Sequence, residues 1–359
     1  MMASIYDMIK DEDAMIVAFA LFSILFCLLS LALLSLIIIS KIKRNKNESV
    51  KNEFWPKSQK ALALITIAPM DSMEYKKSIF FLKKMMEQSR KVVQWVLDEI
   101  VKQQANLSGE SKTNLLQAYK VLKLKEYSLK KLKSRRWNVV ASGIQELERM
   151  EQHDCEQRIR KFLHAKNKDL RKTARLALAS LAEKPLDFLE HVREEVNEWE
   201  QMSIKYRLRG KRKDNLPDFS GYYLHSEPSV VRFSISMSVY FNCFEHIPQL
   251  IDLLATGAED LQVTVIEALS KLEAFQAIEA IETLASETDH QPIVCAALKF
   301  LGNVGCSEGH HVIERFIHDE DVEIRMEAVN AAIRLDLDFS DENNDLRRMY
   351  AHHQNHLIS

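Results

Sequence analysis

Turn-forming residues are scarce: the chain has eight Gly and seven Pro in 359 residues. So few of them argue against an all-β domain built on many tight turns and favour long helices. None of the Gly stands in a run ending in Lys and Ser or Thr, so a phosphate-cradling loop is missing. Gly-x-Ser-x-Gly is missing too, and Ser, Cys and His are scattered without a local signature of covalent catalysis. The five cysteines form no paired framework, which suits a reducing compartment. At the C-terminus His352 and His356 are spaced to share a helical face, with His353 beside them, but no carboxylate or Cys completes a ligand set. Cys306, His310 and His311 are no better placed. Glu279 and Glu282 read as a solvated helix face. No catalytic residue, metal or cofactor is expected.

One apolar run stands out. Residues 14 to 39, AMIVAFALFSILFCLLSLALLSLIII, carry no charge and are long enough to cross a hydrocarbon core about 30 Å thick. Asp7, Asp11, Glu12 and Asp13 precede the run, with only Lys10 against them, which is unlike the basic start of a cleaved signal peptide. Lys41, Lys43, Arg44 and Lys46 follow it. Basic residues are retained on the cytoplasmic side, so the expected topology is single-pass in the cytoplasmic (inner) membrane, N-terminus outside and body inside.

Charge is segregated behind a net of −2. Residues 41–213 hold 40 Lys and Arg against 22 Asp and Glu, a net of +18, while 214–359 hold 8 against 25, a net of −17. A basic half held at the inner leaflet is attracted to anionic lipid, by about 1 kcal/mol per Lys or Arg near the surface.

The organisation read from pattern is a tail (1–13), a transmembrane helix (14–40), a juxtamembrane linker (41–74) with Trp55 as an interfacial anchor, and a basic helical region (75–136). The run Ala61 to Ala68 is too short to span and is stopped by Pro69. It either lies in the membrane interface or packs against the body as strand or helix, and packing is the favoured reading. Phe81, Met85, Val92, Trp95, Val96 and Ile100 then fall on one helical face. Ser108 or Ser111 caps a next helix, and Leu129 to Leu147 reads as a third.

Beyond residue 136 the sequence repeats itself. Segments aligned on Arg232, Val265, Val294 and Arg325 follow one another at 33, 29 and 31 residues, each leading through a turn into a second helix. Their element is an apolar residue, Arg, two variable residues and Ala after an acidic residue, best seen in Asp321 to Leu335 and next in Asp169 to Leu181. This pattern resembles the HEAT-like repeat family. The resemblance implies an all-α fold: the single transmembrane helix followed by an α-solenoid of HEAT-like helix pairs over 137–209 and 227–335, an inter-repeat loop at 210–226 and a tail at 336–359. It also implies that Arg171, Arg232 and Arg325 bond carbonyls or Asp of an adjacent repeat.

Such arrays bind other macromolecules along an elongated surface. The expected function is a non-enzymatic, membrane-tethered scaffold for a protein partner, such as a membrane glycosylation, exopolysaccharide or signalling complex. The candidate contacts to partner or anionic membrane lipid are Lys41, Lys43, Arg44, Lys130, Lys131, Lys133, Arg135, Arg136, Arg207, Arg209, Lys211, Arg212 and Lys213, with Phe219, Tyr222 and Tyr223 in the loop. A nucleic-acid-binding module using the basic half is the first alternative. An enzyme with a cleft inside the solenoid is the second.

Overall fold

The computed structural model describes the backbone of residues 2–210, 216–305 and 310–337, and side chains within these from Leu21 onward except 43–54 and Thr256. The described residues are all-helical, without a strand. They form two compact units, Met1–Lys133 and Ser134–Ser359.

In the first unit, α1 (Met2–Ile67) contains the apolar stretch. Leu21–Ile42 is long and apolar enough to cross a membrane, and none of its residues is buried within the chain. Of the residues expected as a juxtamembrane linker, 41–67 are helical and continue α1, with Pro56 inside the helix. The last turns of α1 bury Ala61, Leu62 and Ile65 against α2 (Met73–Gln88) and α4 (Gly109–Val121). This settles the reading of Ala61 to Ala68 as a packed helix end. Pro69 disfavours helical backbone at Ala68, so α1 stops there. Its terminal carbonyls are met by buried Asn114 of α4, whose amide donates to Ala68 O at 3.0 Å, and Tyr75 OH donates to Asn114 O at 3.1 Å. Ser72 caps α2 and Ser89 caps α3 (Arg90–Gln104), each through its hydroxyl. The single helical face expected from Phe81 to Ile100 is divided at Ser89 between α2 and α3; Met85, Val92, Val96 and Ile100 are buried, and Phe81 and Trp95 are half-buried. The expected third helix is two: α5 (Leu124–Lys131) ends before α6 (Trp137–Arg149) begins.

The second unit opens with α6, short α7 (Glu156–Arg160) and α8 (Lys168–Leu181). After α9 (Glu198–Leu208) come α10 (Pro228–Tyr240), α11 (Ile247–Thr256), α12 (Glu259–Lys271), α13 (Ile278–Glu287), α14 (Gln291–Val304), α15 (His310–Phe316) and α16 (Val322–Arg334). Here α10, α12, α14 and α16 pack in succession, and α11, α13 and α15 form a second row. One core runs through them, from Tyr223 to Ala332.

A recurring turn ends the first helix of each pair. Asn242, Glu273, Gly305 and Asp336 have positive φ, at successive separations of 31, 32 and 31 residues. In three of them the next N–H reaches the carbonyl five residues back: Cys243 to Ser238 at 2.9 Å, Ala274 to Leu269 at 3.0 Å and Leu337 to Ala332 at 3.1 Å. Gln152 to Leu147 repeats it after α6, with Glu151 in the left-handed region. These six-to-one bonds satisfy carbonyls a helix end would otherwise leave open. The architecture is repeat-like in this sense. Small residues let the helices close up: a Cβ on Gly302 would lie 2.7 Å from Ala331 Cα.

Between α8 and α10 the pairing pattern changes. Glu200, at the start of α9, meets Arg175 of α8. Arg207, near its end, meets Glu148 of α6, which also accepts from Ser180 near the end of α8. On the other side Val196 N donates to Ser229 Oγ at the start of α10, and Lys205 covers the Tyr240 ring at its end. So α9 runs in the same direction as both neighbours and is not an antiparallel partner of either.

Candidate functional site

The basic candidates divide by environment. Lys41, Lys130, Lys133, Arg135, Arg136 and Arg209 are exposed and Lys131 is half-exposed, as a contact surface requires. The side chains of Lys43 and Arg44, and the whole of Lys211, Arg212 and Lys213, lie outside the described residues, as do Cys306, His352, His353 and His356. Arg207 is engaged internally, its Nε donating to Glu148 Oε1 at 2.6 Å and its Nη1 to Ser203 O at 3.1 Å.

The loop aromatics expected to greet a partner face inward. Phe219 and Tyr223 are buried, and Tyr222 is half-buried with its hydroxyl donating to Leu186 O at 3.0 Å. Phe219 stacks on Phe241 at 5.8 Å. The physical reason is that this stretch covers α10 in place of a second helix. Phe and Tyr supply the apolar area, and Tyr223 OH finds a partner in Ser238 Oγ at 2.7 Å. Burial pushes the Tyr223 phenol up to about 12.

Ser238 also lies 3.0 Å from His246 Nδ1, whose Nε2 lies 3.2 Å from Asp218 Oδ1. The order Ser, His, Asp imitates a nucleophilic relay, but Ser238 is fully buried. Its hydroxyl bridges buried polar groups. The Asp218 carboxyl is held below its ordinary range first by the Ser220 hydroxyl, with the Ser220 and Gly221 amides and His246 adding to it.

An open cleft of about 780 Å³ lies beside this network, lined by His153, Glu183, Asp187, Glu190, Asp218 and Tyr222 among others. Arg160 bridges Asp187 at 2.6 Å and Glu156 at 2.7 Å. Burial, then the Glu190 and Asp187 charges, push Tyr222 up to about 12, so the phenol stays protonated. No group of three or more His, Cys, Asp or Glu side chains among the described residues converges on a metal-sized point.

The repeat arginines differ from one another. Arg171 donates Nη1 to Ala165 O at 2.8 Å and Lys166 O at 3.1 Å, and Arg325 bonds Asp319 O in the same way. Both bond main-chain carbonyls, those of the turn that precedes their own helix. Arg232 is exposed. Arg171 Nε also meets Glu194 Oε1 at 3.0 Å, and Arg175 bridges Glu194 at 2.9 Å to buried Glu200 at 2.6 Å. The Arg171 hydrogen bond leads in holding Glu194 down at about 2, with Arg175 adding to it.

This ion cluster fixes the surface that sequence reasoning missed. Helix α9 turns Glu200, Ile204 and Leu208 inward. Its outer face carries Trp199, Met202 and Tyr206, which are 63, 69 and 74% exposed. The two stripes have equal claims to the core on spacing alone. Arg175, placed to receive Glu200, lets the stripe of Glu200, Ile204 and Leu208 be the inner one. Phe244 and Phe275 are also exposed, two residues after the positive-φ positions of consecutive repeats.

No family model matches the chain. No curated protein matches it. Two solved structures similar to it are crystal structures of engineered proteins from the Northeast Structural Genomics Consortium. One is 14% identical, covers 77% of this chain and 88% of its own, and has a TM-score of 0.34. The other is 14% identical, covers 78% and 96%, and has a TM-score of 0.23. Likenesses this low define neither a shared fold nor a shared activity.

Proposed function

We propose that this chain is a membrane-tethered scaffold: a single span, N-terminus outside, holds a HEAT-like helical array at the cytoplasmic face, where it binds a protein partner. The observation that carries the reading is the continuity of α1, which joins an unburied apolar stretch of bilayer length to the buried Leu62 and Ile65 in one helix. Such a helix carries the span directly into the core of the first unit. Tethering then raises the effective concentration of the array for other membrane components without new contacts.

The recurring turn supports the HEAT-like reading, and the exposed Phe244 and Phe275 offer aromatic anchors on consecutive repeats for a partner. The test is photocrosslinking in native membranes from probes at these two positions. Recovery of the same protein from both, lost on Phe244→Asp with Phe275→Asp, supports the scaffold. Failure to recover any protein from either position removes its main support.

A second reading, nucleic-acid binding, is favoured by the exposed Lys130, Lys133, Arg135 and Arg136. It predicts a gel shift of DNA or RNA at low salt that collapses as salt rises.

A further inference from the structure

We infer that the outer face of α9, Trp199, Met202 and Tyr206 with Arg209, rests on the surface of an anionic bilayer. The three large side chains recur at i, i+3 and i+7 and stand about two-thirds exposed or more, so they form one apolar ridge along an 11-residue helix. Single exposed apolar residues are ordinary on a protein surface; a Trp, Met and Tyr aligned on one stripe are not. Trp and Tyr are also the residues that concentrate at the water–lipid boundary, with the ring in the apolar layer and the polar edge among headgroups.

The surrounding charge selects the lipid. Arg209 continues the stripe beyond Tyr206, and Lys205 Nζ lies beside it, 3.9 Å above the Tyr240 ring. Arg232 occupies the same face of α10 as Tyr240, about two turns earlier. Exposed carboxylates stand near both ends of α9, Glu195 and Glu198 beside Trp199, and Glu183, Glu190 and Asp218 on the cleft that Gly210 borders. Arg209 is the cation that lies on the stripe itself, placed to meet anionic headgroups. A helix with an apolar stripe and cations on its flank lies in the headgroup layer with the apolar side chains inserted.

The ridge is also held rigid from behind. Glu200, on the inner face one residue from Trp199, is fully buried on Arg175, so α9 meets a surface without refolding. The inference rests on reading α1 as a span, which keeps the array within reach of a bilayer.

The test uses the full chain in vesicles of phosphatidylcholine with and without phosphatidylglycerol, their acyl chains brominated, and compares its tryptophan emission with that of Trp199→Phe. The difference isolates Trp199 from Trp55, Trp95 and Trp137. Bromolipid quenching of the Trp199 component in phosphatidylglycerol vesicles, relieved by high salt and by Arg209→Glu, is the expected result. A Trp199 component open to aqueous acrylamide and indifferent to bromolipid overturns the inference. One shielded from both quenchers does so too, by showing a protein cover. Met202→Asp, with Trp199 kept, supplies the same readout should Trp199→Phe fail to fold: quenching must fall. Alkaline carbonate extraction of the same vesicles separates the two readings. Retention in the pellet without Trp199 quenching rejects the α9 contact alone, and release into the supernatant rejects the span.

Discussion

Arg171 and Arg325 open helices at opposite ends of the second unit and make the same contact: the Nη1 of each donates to the main-chain carbonyl six residues upstream, Ala165 for one and Asp319 for the other. The guanidinium thus closes the turn that feeds its own helix. Replacing Arg325 with Ala leaves that carbonyl without its charged donor and should cost about 1.5 to 3 kcal/mol in chemical denaturation. Arg325→Lys should recover only part of it, because an ammonium lacks the planar fork. Full recovery by Lys would mean that charge alone matters.

The Arg175–Glu200 pair is buried on both sides. Glu200→Ala strands a buried guanidinium and should destabilise by about 3 to 5 kcal/mol, whereas Arg175→Met combined with Glu200→Leu should be far milder. Denaturation midpoints of the three variants decide this, and equal losses would contradict it. Trp199 emission in the Glu200→Ala variant should shift as well, since α9 loses its fixed seat.

Acid should loosen the same cluster. Unfolded, Glu194 titrates near its ordinary 4.5; folded, it is held at about 2, chiefly by Arg171. A depressed carboxylate contributes stability that is full above the unfolded value and is lost as pH falls from about 4.5 toward 2. The gap in melting temperature between the wild type and Glu194→Gln should therefore be constant near neutrality and close over that window. A gap that widens on acidification would show that the sign is wrong.

Gly302 faces the backbone of Ala331, so Gly302→Val should force α14 and α16 apart. The expected loss is about 1 to 3 kcal/mol or more, read by thermal melts, with Gly210→Val as a control at an open position. An unchanged melt for Gly302→Val would contradict the close approach.

Much of the architecture was legible because it rests on periodicity and small residues. The separation of Val294 and Arg325 foretold the succession of α14 and α16, and Ala297 and Ala328 are both buried where helices meet. The α9 surface was not legible. Trp199, Met202 and Tyr206 look like a core stripe, and Glu200 looks like surface, until a buried Arg175 reverses them. Phe219 and Tyr223 misled in the opposite direction, since aromatics in a Gly- and Pro-bearing loop read as exposed while the gap over α10 demanded them. Asp218, Ser238 and His246 lie on separate segments, and nothing in their spacing announces that they meet.

The central claim, that α1 anchors the chain by crossing a bilayer, is tested most directly by alkaline carbonate extraction of membranes carrying the full chain. The wild type should remain in the membrane pellet, while Phe26→Arg with Leu29→Arg, each adding about 2.5 to 3.5 kcal/mol to insertion at the centre of the span, should move to the supernatant. Release of the wild-type chain by carbonate would contradict the claim.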